Sequence, residues 1–196
     1  MIKAIIFDMD GTLIQLPINY DAIFKKLQNL FEIEDEFKPL IPTILEKSNG
    51  NVKLIQQSFD LICEEETQAA KKFKIMNNAI EVLNYFKNNN YSLSLVTMQC
   101  ESVAKSVLDK MQISELFSNI ITRDDSHERS TQIKKCVNFL SLPSNHVMVV
   151  GDRIHDVKSA KQVGCIPILC NKDKINSFNE CVVISELSEL FKINLS

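Results

Sequence analysis

What most constrains the fold of this chain is a recurrence of short apolar runs, each ending in polar residues. They lie at 2–7 (IKAIIF), 92–97 (SLSLVT), 119–122 (NIIT), 147–150 (VMVV), 166–169 (IPIL) and 181–184 (CVVI), with helix-spaced segments between most of them. A strand covered on both faces reads as a continuous apolar run rather than an alternating one. Strands that alternate with helices pair in parallel, so the pattern predicts an α/β fold with a parallel sheet.

Residues 15–76 break this rhythm and contain no strand-like run. Tyr20, Ile23, Phe24, Leu27, Leu30 and Phe31 form one helical stripe, and Val52, Ile55, Phe59 and Ile62 form another. Pro39 and Pro42 fall between them and predict separate helices. A connection inside a βα unit is usually a handful of residues, so a block this long reads as an inserted α-helical cap. The expected division is a core of 1–14 and 77–196 with a cap of 15–76, hinged at Leu13–Pro17 and at 74–78 (KIMNN).

Charge narrows the function classes. The net charge of -3 provides no basic field, which argues against nucleic acid as a partner. No apolar run approaches the roughly 18 residues of a membrane span, so no membrane partner is expected. Lys3, Asp8 and Asp10 interrupt the first ten residues, which argues against a signal peptide. The six cysteines show no C-x-x-C pair, which predicts reduced thiols and a cytoplasmic location rather than a zinc site or disulfide framework.

Ligands of an open parallel sheet sit beyond the carboxyl ends of its strands. The first run ends in Asp8, Asp10, Gly11 and Thr12, the second in Thr97, the third in TRDDSHER (122–129), and the fourth in GDRIHD (151–156). Asp10-Gly11 alone reads as a turn, and Asp152 alone reads as a helix N-cap. Together, several carboxylates facing one crevice repel one another unless a cation sits among them. Oxygen ligands of this kind suit Mg²⁺.

DMDGT at 8–12, Thr97 at a strand end, and GDRIHD at 151–156 resemble the first, second and fourth motifs of the haloacid dehalogenase superfamily. The resemblance spans the chain, because the helical block lies where subclass I phosphatases, such as phosphoglycolate phosphatases, carry a helical cap. It implies a Rossmann-like core and a Mg²⁺-dependent phosphatase acting on a small phosphorylated metabolite. Asp8 is then the nucleophile that forms an aspartyl-phosphate, and Asp10 the general acid and base. Mg²⁺ is held by Asp8, the Asp10 carbonyl and Asp152, with Asp156 in support; Gly11, Thr12 and Thr97 bind phosphoryl oxygens. Asp10 also points away from the dehalogenases and the transport ATPases of the superfamily, which lack an aspartate there.

The third motif departs from the pattern. Relatives place a lysine, often Lys-Pro, before the fourth strand, and no Lys-Pro stands there in this chain. Arg129 is the expected substitute among the phosphate-binding residues, with His127, Lys134 and Lys135 as alternatives. Two rival readings share the same residues: a phosphoglucomutase-like phosphotransferase, and a phosphate-binding regulatory module without turnover.

Overall fold

The computed structural model describes residues 1–171, 173 and 178–193, and the chain divides into two compact units. One is Met1–Gln15 with Lys74–Ser196; the other is Leu16–Phe73.

The first unit is built on a six-stranded parallel sheet. Its strands are β1 (Ala4–Asp8), β4 (Ser92–Val96), β5 (Phe117–Ile121), β6 (Val147–Gly151), β7 (Ile166–Cys170) and β8 (Val182–Ile184), in the order β5-β4-β1-β6-β7-β8. The fold is therefore α/β with a Rossmann-like core, and each strand lies on one of the apolar runs. All five residues of β1 are buried, which explains why its sequence shows no alternation. Helices α4 (Ala79–Asn88), α5 (Glu101–Met111), α6 (Arg129–Leu140) and α7 (Ile154–Val163) connect the strands.

Successive side chains of a strand point to opposite faces. Ala4 and Ile6 of β1 accordingly pack in one cluster with Val147 and Val149 of β6, Ile133, Cys136 and Val137 of α6, and Ala160 of α7. This apolar packing clamps α6 and α7 to the sheet, and with them every polar group on their first turns.

Strand order makes β1 the switch point, with β4 on one side and β6 on the other. Registers pair Asp8 with Val96 and Phe7 with Val150, so Asp8, Thr97 and Gly151 all stand at the same end of the sheet. That end is the crevice in which such sheets bind ligands.

The second unit is helical: α1 (Tyr20–Phe31), α2 (Leu40–Lys47) and α3 (Val52–Ala69). Asn19 caps α1 by accepting from the Ala22 N–H at 3.1 Å, and Asn51 caps α3 by accepting from the Leu54 N–H at 3.2 Å. Ile23, Leu27, Phe59 and Ile62 of the two stripes are buried, but Val52 is 77% exposed, because it occupies the first turn of α3 beyond the packed stretch.

One detail corrects the sequence reading. A two-residue antiparallel ribbon, β2 (Ile14–Gln15) with β3 (Lys74–Ile75), occupies edges of a block expected to be strand-free. Two residues give no periodicity for a pattern to reveal. Cys136, Cys165, Cys170 and Cys181 are free thiols, as expected of reduced cysteines. Among the described residues, no helix is long and apolar enough to cross a membrane.

Candidate active site

Asp8 ends β1 with 5% of its surface exposed, and its charge is met by one partner from the far side of the sequence. Arg129, 6% exposed at the start of α6, donates from Nη2 to Asp8 Oδ1 at 2.7 Å. Its Nε lies 3.1 Å from Asp156 Oδ1, so one guanidinium pairs with two buried aspartates. A planar, permanently charged fork suits this double engagement better than the point charge of a lysine. Of the alternatives for this cation, His127, Lys134 and Lys135 all sit exposed, and Lys135 donates to the Asp125 carbonyl.

Asp156 works inside its own helix as well. Its Oδ2 accepts from the Arg153 N–H at 3.1 Å, capping the first turn of α7. Asp152 is not the cap; it precedes the helix and faces the cluster. One ligand oxygen from each of Asp8, Asp152 and Asp156 lies within 4.8 Å of the others.

Two glycines make this convergence possible. A Cβ on Gly11 would stand 2.3 Å from Asp152 Oδ2, and Gly11 has φ +92. Only glycine satisfies both demands. A Cβ on Gly151 would stand 2.6 Å from the Asp156 carboxylate, so here the need is space alone. The turn after β1 is closed by the Gly11 N–H donating to the Ile14 carbonyl at 2.7 Å and by the Leu13 N–H donating to the Met9 carbonyl at 2.9 Å.

Burial pushes the Asp8 carboxyl well above the usual carboxylate range; Asp156 and Asp152 add to the rise and Arg129 opposes it. Burial likewise pushes Asp152 up to about 6, against the pull of Arg153. Asp152 Oδ1 and the Thr12 hydroxyl are buried with no hydrogen-bond partner among the described residues. Three carboxylates that share one buried guanidinium, with an orphaned oxygen among them, fit a hard divalent cation and its oxygen ligands.

The remaining predicted residues are distributed around this cluster. Thr97, fully buried, donates its hydroxyl to Gln99 Oε1 and accepts at Oγ1 from the Gln99 N–H at 3.3 Å. Asp10 follows β1 and bridges to Ile14. Asp124 accepts from the Glu101 N–H at 2.8 Å and caps α5, while Asp125 accepts from the Thr122 N–H at 2.9 Å. Both are loop-bracing groups outside the carboxylate cluster.

Sequence reasoning missed Gln99 and Gln132, two buried amides that hold the polar end of the site. Gln132 had a readable signal. It falls three residues after Arg129 and continues into Ile133, Cys136 and Val137, so a polar residue stands on the apolar face of its helix.

Residues 5–169 match the family model of the haloacid dehalogenase-like hydrolases, and the chain belongs to that family. It is thus a hydrolase, as its motifs implied. An uncharacterized hydrolase of Saccharomyces cerevisiae is 26% identical over 98% of this chain and 90% of its own length. A phosphoglycolate phosphatase of Aquifex aeolicus is 23% identical over 97% of this chain and 96% of its own. A haloacid dehalogenase-like hydrolase structure from Bacteroides fragilis covers 97% of this chain with TM-score 0.73 at 14% identity, a likeness of fold.

Proposed function

We propose that the chain is a Mg²⁺-dependent phosphatase that hydrolyses a small phosphorylated metabolite through an aspartyl-phosphate on Asp8. The observation that carries the reading is the buried Asp8 carboxylate, held at 2.7 Å by Arg129 and clustered with Asp152 and Asp156. A carboxylate fixed at a strand end, with one oxygen paired, keeps its other oxygen for attack on phosphorus.

In the first half-reaction an Asp8 oxygen bonds to phosphorus as the ester P–O bond breaks. Asp10 supplies the proton taken by the leaving alkoxide. In the second, Asp10 takes a proton from the water that attacks the phosphorus of the aspartyl-phosphate, and Asp8 leaves as a carboxylate. Thr12 offers its backbone N–H to a phosphoryl oxygen beside Gly11, whose own N–H is taken by the Ile14 carbonyl, with Thr97 and Arg129 completing the set. Asp8, Asp152 and the Asp10 carbonyl would hold Mg²⁺, with Asp156 in support. When bound, the ion neutralises phosphoryl charge.

The helical unit Leu16–Phe73 is proposed to act as the cap that selects the leaving group. The support for this is its insertion point, a few residues beyond the motif that ends β1. Relatives bearing the name phosphatase act as precedent for small phosphate esters.

Phosphate release from a panel of small phosphate esters, with Mg²⁺ and with EDTA, tests the reading. Metal-dependent release that vanishes in Asp8→Asn is expected. No release from folded, Mg²⁺-loaded wild type across the panel contradicts it, and an isomerised ester without release marks a phosphotransferase.

A further inference from the structure

Gln132 is fully buried, and its amide meets four groups at once. Oε1 accepts from Arg129 Nη1 at 3.2 Å. Nε2 lies 2.9 Å from each of three carbonyls, those of Thr97, Thr122 and Ser126. The amide turns its oxygen to the guanidinium and its two N–H groups toward the three carbonyls, so the network itself fixes which way the amide faces. The carbonyls belong to the residue that follows β4, the residue that follows β5, and the loop leading into α6. The contacts of Gln132 therefore join two strand-end segments, the residue after β4 and the β5–α6 loop, to one edge of the Arg129 guanidinium, whose other edge holds Asp8.

We infer that Gln132 is a positioning residue that aims Arg129 at the nucleophile. The inference rests on the reading of Asp8 as the attacking group. A guanidinium is planar, so fixing Nη1 fixes the direction of Nη2. Without that hold, the nearby Asp156 competes for the same cation through Nε at 3.1 Å, and the Asp8 carboxylate loses the bond that orients it. A shift on the order of 1 Å at a reacting group costs about 100-fold in rate, so one amide has leverage over turnover.

The test uses the full chain in five forms: wild type, Gln132→Met, Gln132→Glu, Arg129→Ala and the Gln132→Met/Arg129→Ala double variant. Methionine keeps the volume and removes both functions of the amide. Glutamate keeps the acceptor toward Arg129 and loses the donors toward the carbonyls. Three readouts are taken: kcat and KM for the best ester, the melting temperature, and the NMR signals of the Arg129 Nη protons.

In Gln132→Met, kcat is expected to fall by about 10- to 100-fold with KM changed far less. In the Arg129→Ala background the same change is expected to cost less than about threefold, because the partner it acts through is gone. The Arg129 Nη protons, resolved in wild type because both edges are held, are expected to average in Gln132→Met and stay resolved in Gln132→Glu. The melting temperature falls in both Gln132 variants, so stability alone does not imitate this pattern.

Losses that multiply in the double variant overturn the inference, as does an Arg129 signal indifferent to Gln132→Met. Equal loss of kcat in the Met and Glu variants also overturns it, by assigning the effect to the loops. If wild type turns over no ester while the Arg129 signal still depends on Gln132, the phosphatase reading fails and the positioning of Arg129 by Gln132 stands.

Discussion

Arg129→Ala is the perturbation whose consequences the geometry defines most sharply. The side chain is 6% exposed and pairs with Asp8 at 2.7 Å and Asp156 at 3.1 Å. Removing it leaves two buried carboxylates without that cation. Deleting one partner of a buried ion pair costs about 3–5 kcal/mol, and for a chain of this length each kcal/mol moves the melting temperature by about 2–4 °C. A fall of about 10 °C in metal-free buffer near neutral pH is expected.

The pH dependence supplies the sharper test. Burial already pushes Asp8 above its ordinary range, and loss of Arg129 removes the guanidinium on α6 that opposes the rise. A carboxyl raised in the folded state contributes stability that is full below its unfolded pKa and is lost as pH rises through its folded pKa. The deficit of Arg129→Ala must therefore be small at about pH 4 to 5 and grow toward about pH 7.5. Differential scanning fluorimetry in EDTA at both ends of that range measures it. A deficit that is equal at both pH values, or larger in acid, refutes the reasoning.

Other outcomes follow from single contacts. Gly151→Ala puts a Cβ 2.6 Å from the Asp156 carboxylate and is expected to cost about 1–3 kcal/mol, read by urea denaturation. Gly11→Ala sets a Cβ 2.3 Å from Asp152 Oδ2, so Mg²⁺ is expected to raise the melting temperature of wild type and to raise that of Gly11→Ala far less. Burial pushes the thiols of Cys136 up to about 12 and of Cys165 and Cys170 up to about 11, so all three are expected to resist a thiol reagent at about pH 8 until guanidinium unfolds the chain. The same shifts make native stability fall as pH climbs past about 9, where unfolded thiols ionise and these do not.

The sheet was legible because its central strands β1, β4 and β6 are buried enough to read as apolar runs, and chain order then dictates which ends carry polar residues. Asp8 and Asp152 follow directly, since each closes or follows such a run. Arg129 was legible as a nearby cation, but its reach to Asp8 depends on α6 being clamped through Ile133, Cys136 and Val137, which only packing decides. Gln132 shows in the sequence as a polar residue on an apolar helix face, but its meaning lies in carbonyls of Thr97 and of the β5–α6 loop, which only the fold brings together. The ribbon at Ile14–Gln15 was beyond pattern reading for want of length, and the exposure of Val52 for want of any signal that α3 begins to pack only after its first turn.

The most direct test of the account is the mass of the peptide containing Asp8 after acid quench during turnover with Mg²⁺. One added phosphoryl group on Asp8, absent in Asp8→Asn and absent in EDTA, is the predicted result. Steady phosphate release from wild type with no covalent phosphate on Asp8, or undiminished release by Asp8→Asn, would contradict it.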